Sequence, residues 1–116
     1  LYLIIYPKGY IMVLSKVKEK RMKTISMANL IEVMKNSADI IDVRETFEYE
    51  AGHVPTARNI PMSEMNERYG EIKNGSYIIC QSGARSAQVC QWLTSKKIDV
   101  TNVIGGTNAW EGCLAV

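Results

Sequence analysis

Residues that build covalent or metal-bound scaffolds are scarce in this chain of 116 residues. It has three cysteines, Cys80, Cys90 and Cys113, and one histidine, His53. The cysteines are odd in number and lack Cys-x-x-Cys spacing, which argues against a disulfide framework or a zinc site. The sequence therefore favours a reducing compartment, the cytoplasm, and we expect no bound metal.

An excess of charge and a long apolar run are lacking as well. The net charge of +2 is too small to suggest a nucleic-acid partner. Residues 1–21 are apolar at first, but Pro7, Lys8 and Gly9 interrupt them, so they cannot form the roughly 20-residue span of a membrane helix. Their positive charge follows the apolar part, unlike that of a secretory signal. We expect neither nucleic acid nor membrane among the partners.

Proline is also rare, at three residues, and no low-complexity tract or internal repeat is visible. The length fits one globular domain. Residues 1–21 contain five basic residues and one acidic residue, whereas residues 22–116 are mildly acidic. We interpret 22–116 as the domain and 1–21 as a basic N-terminal extension, disordered or left by an upstream start. The alternative is that the extension forms an extra edge strand or an arm that binds a partner.

Helix and strand patterns alternate from Lys23 onward. Ser26 is positioned to cap the first helix. Strands separated by helices imply parallel crossovers, and hence an α/β layered fold with strands buried on both faces. The predicted strands are 39–43, 57–61, 76–80 and 100–104, and the predicted helices are 27–36, 46–53, 63–72, 85–97 and a short one in 107–112.

The predicted strand 76–80 ends with Cys80, and a small polar loop follows it. Cys80 therefore lies at the carboxyl end of the sheet, where ligands bind in such folds. Gly83 permits a sharp turn, and its small neighbours allow backbone amides to point inward. With the helix N-terminus, these donors predict an anion nest that lowers the pKa of Cys80. Arg85 adds a forked cation. The candidate site therefore comprises Cys80 as the nucleophile and the loop residues Gln81, Ser82, Gly83, Ala84, Arg85 and Ser86.

Two further residues end the predicted strand 39–43 on the same edge. Asp42 is expected to hold loop amides or an arginine. Arg44 either contacts the substrate anion or pairs with Glu45 or Glu48. Both are supporting candidates for the site.

Four stretches, taken together, resemble the single-domain rhodanese family over roughly residues 22–116. They are DVRETFEYEAGHVPTARNIP (42–61), YIICQSGARSAQ (77–88), VTNVIGGTNAW (100–110) and the helix between the last two. The resemblance implies a three-layer sandwich, in which a five-stranded, mostly parallel sheet has helices on both faces. It also implies a persulfide carried on Cys80, with no separate cofactor.

The implied reaction is sulfur transfer. The Cys80 thiolate takes a sulfur atom from thiosulfate or a similar donor, and cyanide or a thiol then removes it. The alternative is a sulfur-carrier or sensor module that receives persulfide from a partner protein. The expected partners are a small-molecule donor and acceptor and a sulfur-relay protein, and the expected state is a monomer or a weak dimer. Related phosphatases use Cys-x5-Arg, whereas this loop is Cys-x4-Arg, which fits a single sulfur atom.

The remaining candidates receive structural interpretations. His53 matches a turn position of the family, and the loop activates the cysteine without a base. Cys90 is expected in the core, and Cys113 is a free surface thiol or a second sulfur acceptor. Trp110 is expected to pack the last helix onto the sheet. Thr56 stands where the family usually has glycine.

Overall fold

The computed structural model describes residues 2–5, 11–14 and 22–116. Strands and helices alternate through the last of these ranges, as the sequence predicts. The strands are β1 Tyr2–Ile5, β2 Ile11–Leu14, β3 Lys23–Ile25, β4 Ile40–Asp42, β5 Arg58–Asn59, β6 Ser76–Ile79 and β7 Val100–Val103. The α-helices are α1 Met27–Met34, α2 Thr46–Glu50, α3 Met65–Arg68 and α4 Ala84–Ser95, and 3₁₀ turns cover Met62–Glu64, Tyr69–Glu71 and Gly106–Ala109.

Strands β1 and β2 pair antiparallel with each other, with Tyr2 opposite Leu14. They form a two-stranded sheet separate from the five-stranded one. The other residues of 1–21 lie outside the described residues. The division of the chain at residue 22 therefore stays a prediction.

The five-stranded sheet has the order β3-β7-β6-β4-β5, and each of its four pairings is parallel. This confirms the predicted five-stranded sheet. Four of its strands come from segments predicted as strands, but β3 does not. Its residues Lys23, Thr24 and Ile25 lie at a sheet edge and are exposed or half-buried. Because this edge strand has no buried run, its sequence lacks the apolar pattern that marks β4 and β6.

Helices cover both faces of the sheet. Successive side chains of a strand point to opposite faces, so neighbouring residues report what packs on each face. Ile40 and Ile41 are each 0% exposed and belong to different core clusters. The fold is therefore the predicted three-layer sandwich. One cluster includes Ile41, Val43 and Ile78 with Met65, Val89 and Leu93 of α3 and α4, and the other includes Ile40, Ile79 and Val103 with Leu30 of α1.

The helices begin close to their predicted starts and are shorter than predicted. Ser26 caps α1 through a hydrogen bond from the amide of Asn29 at 3.2 Å. The segment predicted as one helix over 63–72 is instead a short α-helix flanked by 3₁₀ turns. Its buried side chains are few, Met65 and Ile72 among them, so little packing holds it in one continuous helix. Among the described residues, no helix is long and apolar enough to cross a membrane.

Thr56 has a φ of +73°, in the left-handed region that favours glycine. A non-glycine residue there costs about 1–2 kcal/mol, and glycine loses about 0.5–1 kcal/mol more in chain entropy. We predict that Thr56→Gly raises Tm by several degrees in thermal unfolding, whereas Thr56→Ala, which keeps a Cβ, gives little or no gain. An unchanged or lower Tm for Thr56→Gly would contradict this explanation.

Candidate active site

Cys80 directly follows β6 and is only 1% exposed. The backbone amide of Gly83 donates a hydrogen bond to its Sγ at 3.1 Å. The buried Ser86 hydroxyl donates a second one at 3.3 Å. The sulfur therefore lies inside a ring of donors formed by its own loop and the first turn of α4.

These donors favour the thiolate. Burial alone raises the pKa of Cys80, because a buried charge loses its water. The Ser86 hydroxyl and the amides of Ser86, Gly83 and Ser82 outweigh that effect, and the net pKa of the thiol lies below its ordinary value. The predicted anion nest thus has its physical counterpart in the loop.

Gly83 makes the sharp turn from the loop into the helix. Its φ is +103°, and α4 begins at the next residue, Ala84. The Gly83 carbonyl accepts the amide of Ala87 at 3.1 Å and the side-chain amide of Asn102 at 3.3 Å. The loop is therefore held both by α4 and by the neighbouring strand β7.

A second segment, residues 105–108, fixes the loop from the side of β7. The amide of Thr107 donates to the Cys80 carbonyl at 2.9 Å, and the amide of Asn108 donates to the Gln81 carbonyl at 3.0 Å. A Cβ on Gly106 would lie 2.2 Å from the Cys80 carbonyl oxygen, so only glycine fits between the two segments. The sequence analysis did not assign these residues to the site. The signal was the double glycine after β7, on the same sheet edge as Cys80.

Arg85 faces Glu48. Its Nη1 and Nη2 bind the two carboxylate oxygens of Glu48 at 2.7 and 2.9 Å. This hydrogen bond from Arg85 is the main cause that lowers the pKa of Glu48 to about 2. Glu48, on α2, is a residue of the site that the sequence analysis named only as a partner for Arg44.

Arg44 pairs with Asp42, and with neither Glu45 nor Glu48, the ion-pair partners that the sequence analysis weighed against contact with the substrate anion. Its Nε and Nη2 bind the Asp42 carboxylate at 2.9–3.2 Å, and both residues are buried, at 3% and 0% exposure. Nη2 also donates to the carbonyl of Gly52 at 2.8 Å, and Nη1 to the side chain of Gln81 at 3.0 Å. The enclosed pair therefore links β4, the segment that follows α2 and the loop.

The other reactive side chains lie elsewhere. Cys90 packs in the core, where burial and the charge of Cys80 raise its pKa to about 12. Cys113 is an exposed free thiol. The ring of His53 stacks on Tyr49 with a centroid distance of 3.7 Å, and its Nδ1 lies 2.9 Å from the Tyr49 carbonyl. Trp110 packs against the core cluster of α1, as predicted.

A Cβ at residue 106 should push the Cys80 and Gln81 carbonyls away from the amides of Thr107 and Asn108 and so distort the loop. We predict that Gly106→Ala lowers Tm and slows alkylation of Cys80 by iodoacetamide at neutral pH at least tenfold, because the sulfur loses hydrogen bonds that favour its thiolate. Gly70→Ala is the matched control, since a Cβ there meets no atom within 4 Å. Equal alkylation rates in the two variants would show that segment 105–108 does not support the loop.

The Glu48–Arg85 pair predicts a pH-dependent stability. The pKa of Glu48 falls from an ordinary 4.5 to about 2 on folding, so the pair stabilises the protein fully above pH 4.5 and is lost as the pH falls toward 2. The difference in Tm between the wild type and Glu48→Gln should therefore shrink over that range. Glu50→Gln, at the exposed end of α2, corrects for the lost charge. A difference at pH 2 as large as the one above pH 4.5 would contradict the assignment.

Comparisons with known proteins agree with this geometry. A family model described as Rhodanese-like domain matches residues 26–113. The chain is 39% identical over 94 residues to "Putative sulfurtransferase YtwF" of Bacillus subtilis, covering 78% of this chain and 91% of that protein. It is 38% identical over 79 residues to "Putative sulfur carrier protein YrkF" of the same organism, covering 66% of this chain and 43% of that protein.

The fold also matches solved structures. The crystal structure of a rhodanese-like domain protein from Staphylococcus aureus superposes with a TM-score of 0.75 and 36% identity, and covers 82% of this chain and 98% of that one. The chain spans less than half of the length of the carrier-named relative, 43%. The family model, the layered sheet and the cysteine loop after β6 all lead to one conclusion: the chain belongs to the rhodanese-like domain family.

Proposed function

We propose that the chain is a sulfurtransferase that carries a sulfur atom as a persulfide on Cys80. The observation that supports this most directly is the ring of donors around Sγ: the Gly83 amide at 3.1 Å and the Ser86 hydroxyl at 3.3 Å. The ring stabilises a sulfur anion at a nearly fully buried position. It would stabilise a terminal persulfide anion in the same way, as an oxyanion hole stabilises oxygen.

The reaction has two displacements. The Cys80 thiolate attacks the outer sulfur of a donor such as thiosulfate, a bond forms between the two sulfurs, and sulfite leaves with the electron pair of the broken S–S bond. An acceptor nucleophile, cyanide or a thiol, then attacks the outer sulfur of Cys80-S-S⁻ and restores the thiolate. No external oxidant or reductant is needed, and one difficult transfer is divided into two easier ones.

Phosphoryl transfer fits the site less well. Phosphatases that work through cysteine surround a tetrahedral phosphate with a longer loop, and they need the loop arginine free to grip its oxygens. Here the loop is Cys-x4-Arg, and the guanidinium of Arg85 is held by both oxygens of Glu48. We therefore expect no hydrolysis of aryl phosphates.

A sulfur-carrier role uses the same persulfide and differs in the source of the sulfur. The name of one relative, a sulfur carrier protein, supports this second candidate, and such a role implies a partner protein that delivers or receives sulfur. Three free cysteines in the chain suit a reducing compartment such as the cytoplasm.

The persulfide is tested by intact mass. After incubation with thiosulfate or polysulfide, we predict the addition of one sulfur atom, its loss in Cys80→Ser and its retention in Cys113→Ser, which removes the exposed thiol. Cyanide should discharge the adduct. Steady-state turnover with thiosulfate and cyanide supports an enzyme, whereas weak turnover beside fast loading from a cysteine desulfurase supports a carrier. An adduct that remains in Cys80→Ser would overturn the proposal.

A further inference from the structure

Each arginine at the site is matched by a carboxylate. Arg85 binds Glu48 through two hydrogen bonds, and Arg44 binds Asp42 in the same forked manner. Within residues 22–116, the loop from Cys80 to Ser86 contributes one basic side chain, and its charge is already neutralised. A small dianion such as thiosulfate therefore meets backbone and hydroxyl donors here, but no unpaired cation of the loop.

The space beside the loop has a largely apolar lining, and its two charged members, Arg44 and Glu48, are each already paired. A cleft of about 400 Å³ is lined by Gln81 of the loop and Thr107 of segment 105–108, and its apolar walls include Phe47, Ala51 and Leu114. Phe47 is 75% exposed and Leu114 is 43% exposed. Phe47 is also the chain's single phenylalanine. A large aromatic ring left in water beside a reactive group is typical of a binding surface.

Both apolar walls of the cleft are linked to the loop, one through the Glu48–Arg85 pair and the other through the Asp42–Arg44 pair. Phe47 precedes Glu48 on α2, so the Glu48–Arg85 pair links that helix to α4. Leu114 packs on Gly52, where its Cδ1 lies 3.1 Å from the site of an added Cβ, and the Gly52 carbonyl accepts from Arg44. Two hydrogen bonds between His53 and Ala115, at 2.8 and 2.9 Å, fix the segment that carries Leu114. The walls of the cleft are therefore held in place by an ion pair, side-chain packing and main-chain hydrogen bonds.

We propose that this cleft binds the apolar group of an organic sulfane-sulfur donor, and that such a donor is preferred to thiosulfate. The inference rests on the proposed persulfide at Cys80 and names the class of its substrate: a persulfide or thiosulfonate whose terminal sulfur is attached to an organic group. The organic group lies between Phe47 and Leu114 while the terminal sulfur reaches the ring of donors. Burial of its apolar surface supplies the affinity that the neutralised arginines do not.

The sulfur transfer balances without a further reagent. For a thiosulfonate, R-SO₂-S⁻, the Cys80 thiolate attacks the terminal sulfur and a new S–S bond forms. The S–S bond of the donor breaks, and the sulfinate R-SO₂⁻ leaves with its electron pair. The total charge is the same before and after, with one charge on the sulfinate and one on Cys80-S-S⁻. For an organic persulfide the leaving group is the thiolate R-S⁻.

Benzenethiosulfonate and methanethiosulfonate give a matched test, because both carry one negative charge and release a sulfinate. We expect kcat/KM, with cyanide as the acceptor, to be about tenfold higher or more for benzenethiosulfonate. Phe47→Ala should reduce the ratio of the two values about fivefold or more, and Phe47→Leu should restore part of it. Ile31→Ala, which removes another exposed apolar side chain on α1, serves as the control and should leave the ratio unchanged. Differences in intrinsic reactivity cancel when variants are compared with the wild type.

A second variant tests the electrostatic half of the argument. Glu48→Gln removes the carboxylate that neutralises Arg85, so the ratio of kcat/KM for thiosulfate to that for methanethiosulfonate should rise severalfold at low salt and less at high salt. A ratio that Phe47→Ala does not change would overturn the apolar site, and a ratio that Glu48→Gln does not change would overturn the neutralised arginine. If both donors load Cys80 without preference, this inference alone fails. If neither donor places sulfur on Cys80, the proposed function fails.

Discussion

A thiolate that is 1% exposed is stable only where hydrogen-bond donors replace the water that it has lost. Much of the structure around Cys80 serves that constraint. The turn at Gly83 directs an amide at the sulfur, α4 begins early enough to place the Ser86 hydroxyl beside it, and Thr107 holds the Cys80 carbonyl from the far side. The sheet supplies the rigid frame, since β6 and β7 present both segments at one edge.

The parts of the site that depend on local chemistry could be predicted from the sequence. A strand followed by Cys80, small residues and Gly83 predicts the nest, because the contacts involved lie within six residues of one another. The arginine partners could not be predicted in this way. Glu48 and Arg85 are 37 residues apart, and which carboxylate each arginine meets depends on how α2 packs beside α4. An arginine that has several acidic residues nearby in the sequence can pair with any of them, and only the fold decides which carboxylate it meets.

The fold shows the same division. Strands with buried apolar runs, such as β4 and β6, were predicted to within one residue at either end, whereas the edge strand β3 has no such run and was missed. Thr56 is instructive in another way. The sequence marked it as a departure from the family's usual glycine, and its φ of +73° gives the physical reason for that glycine. The departure lies in an exposed turn and leaves the loop of Cys80 unchanged.

The segment that carries Leu114 is held by its backbone, while its side chain lines the cleft. It is held by a pair of main-chain hydrogen bonds to His53 and by the Trp110 ring nitrogen, which donates to the Cys113 carbonyl at 3.1 Å. Those bonds fix its backbone whatever its side chains are. Substitutions at 114 can therefore reshape the cleft while the hydrogen bonds of the Gly83 amide and the Ser86 hydroxyl to Cys80 stay in place. Under the proposed function, selection for a new sulfur source can act on the side chain at 114 while the loop of Cys80 stays the same.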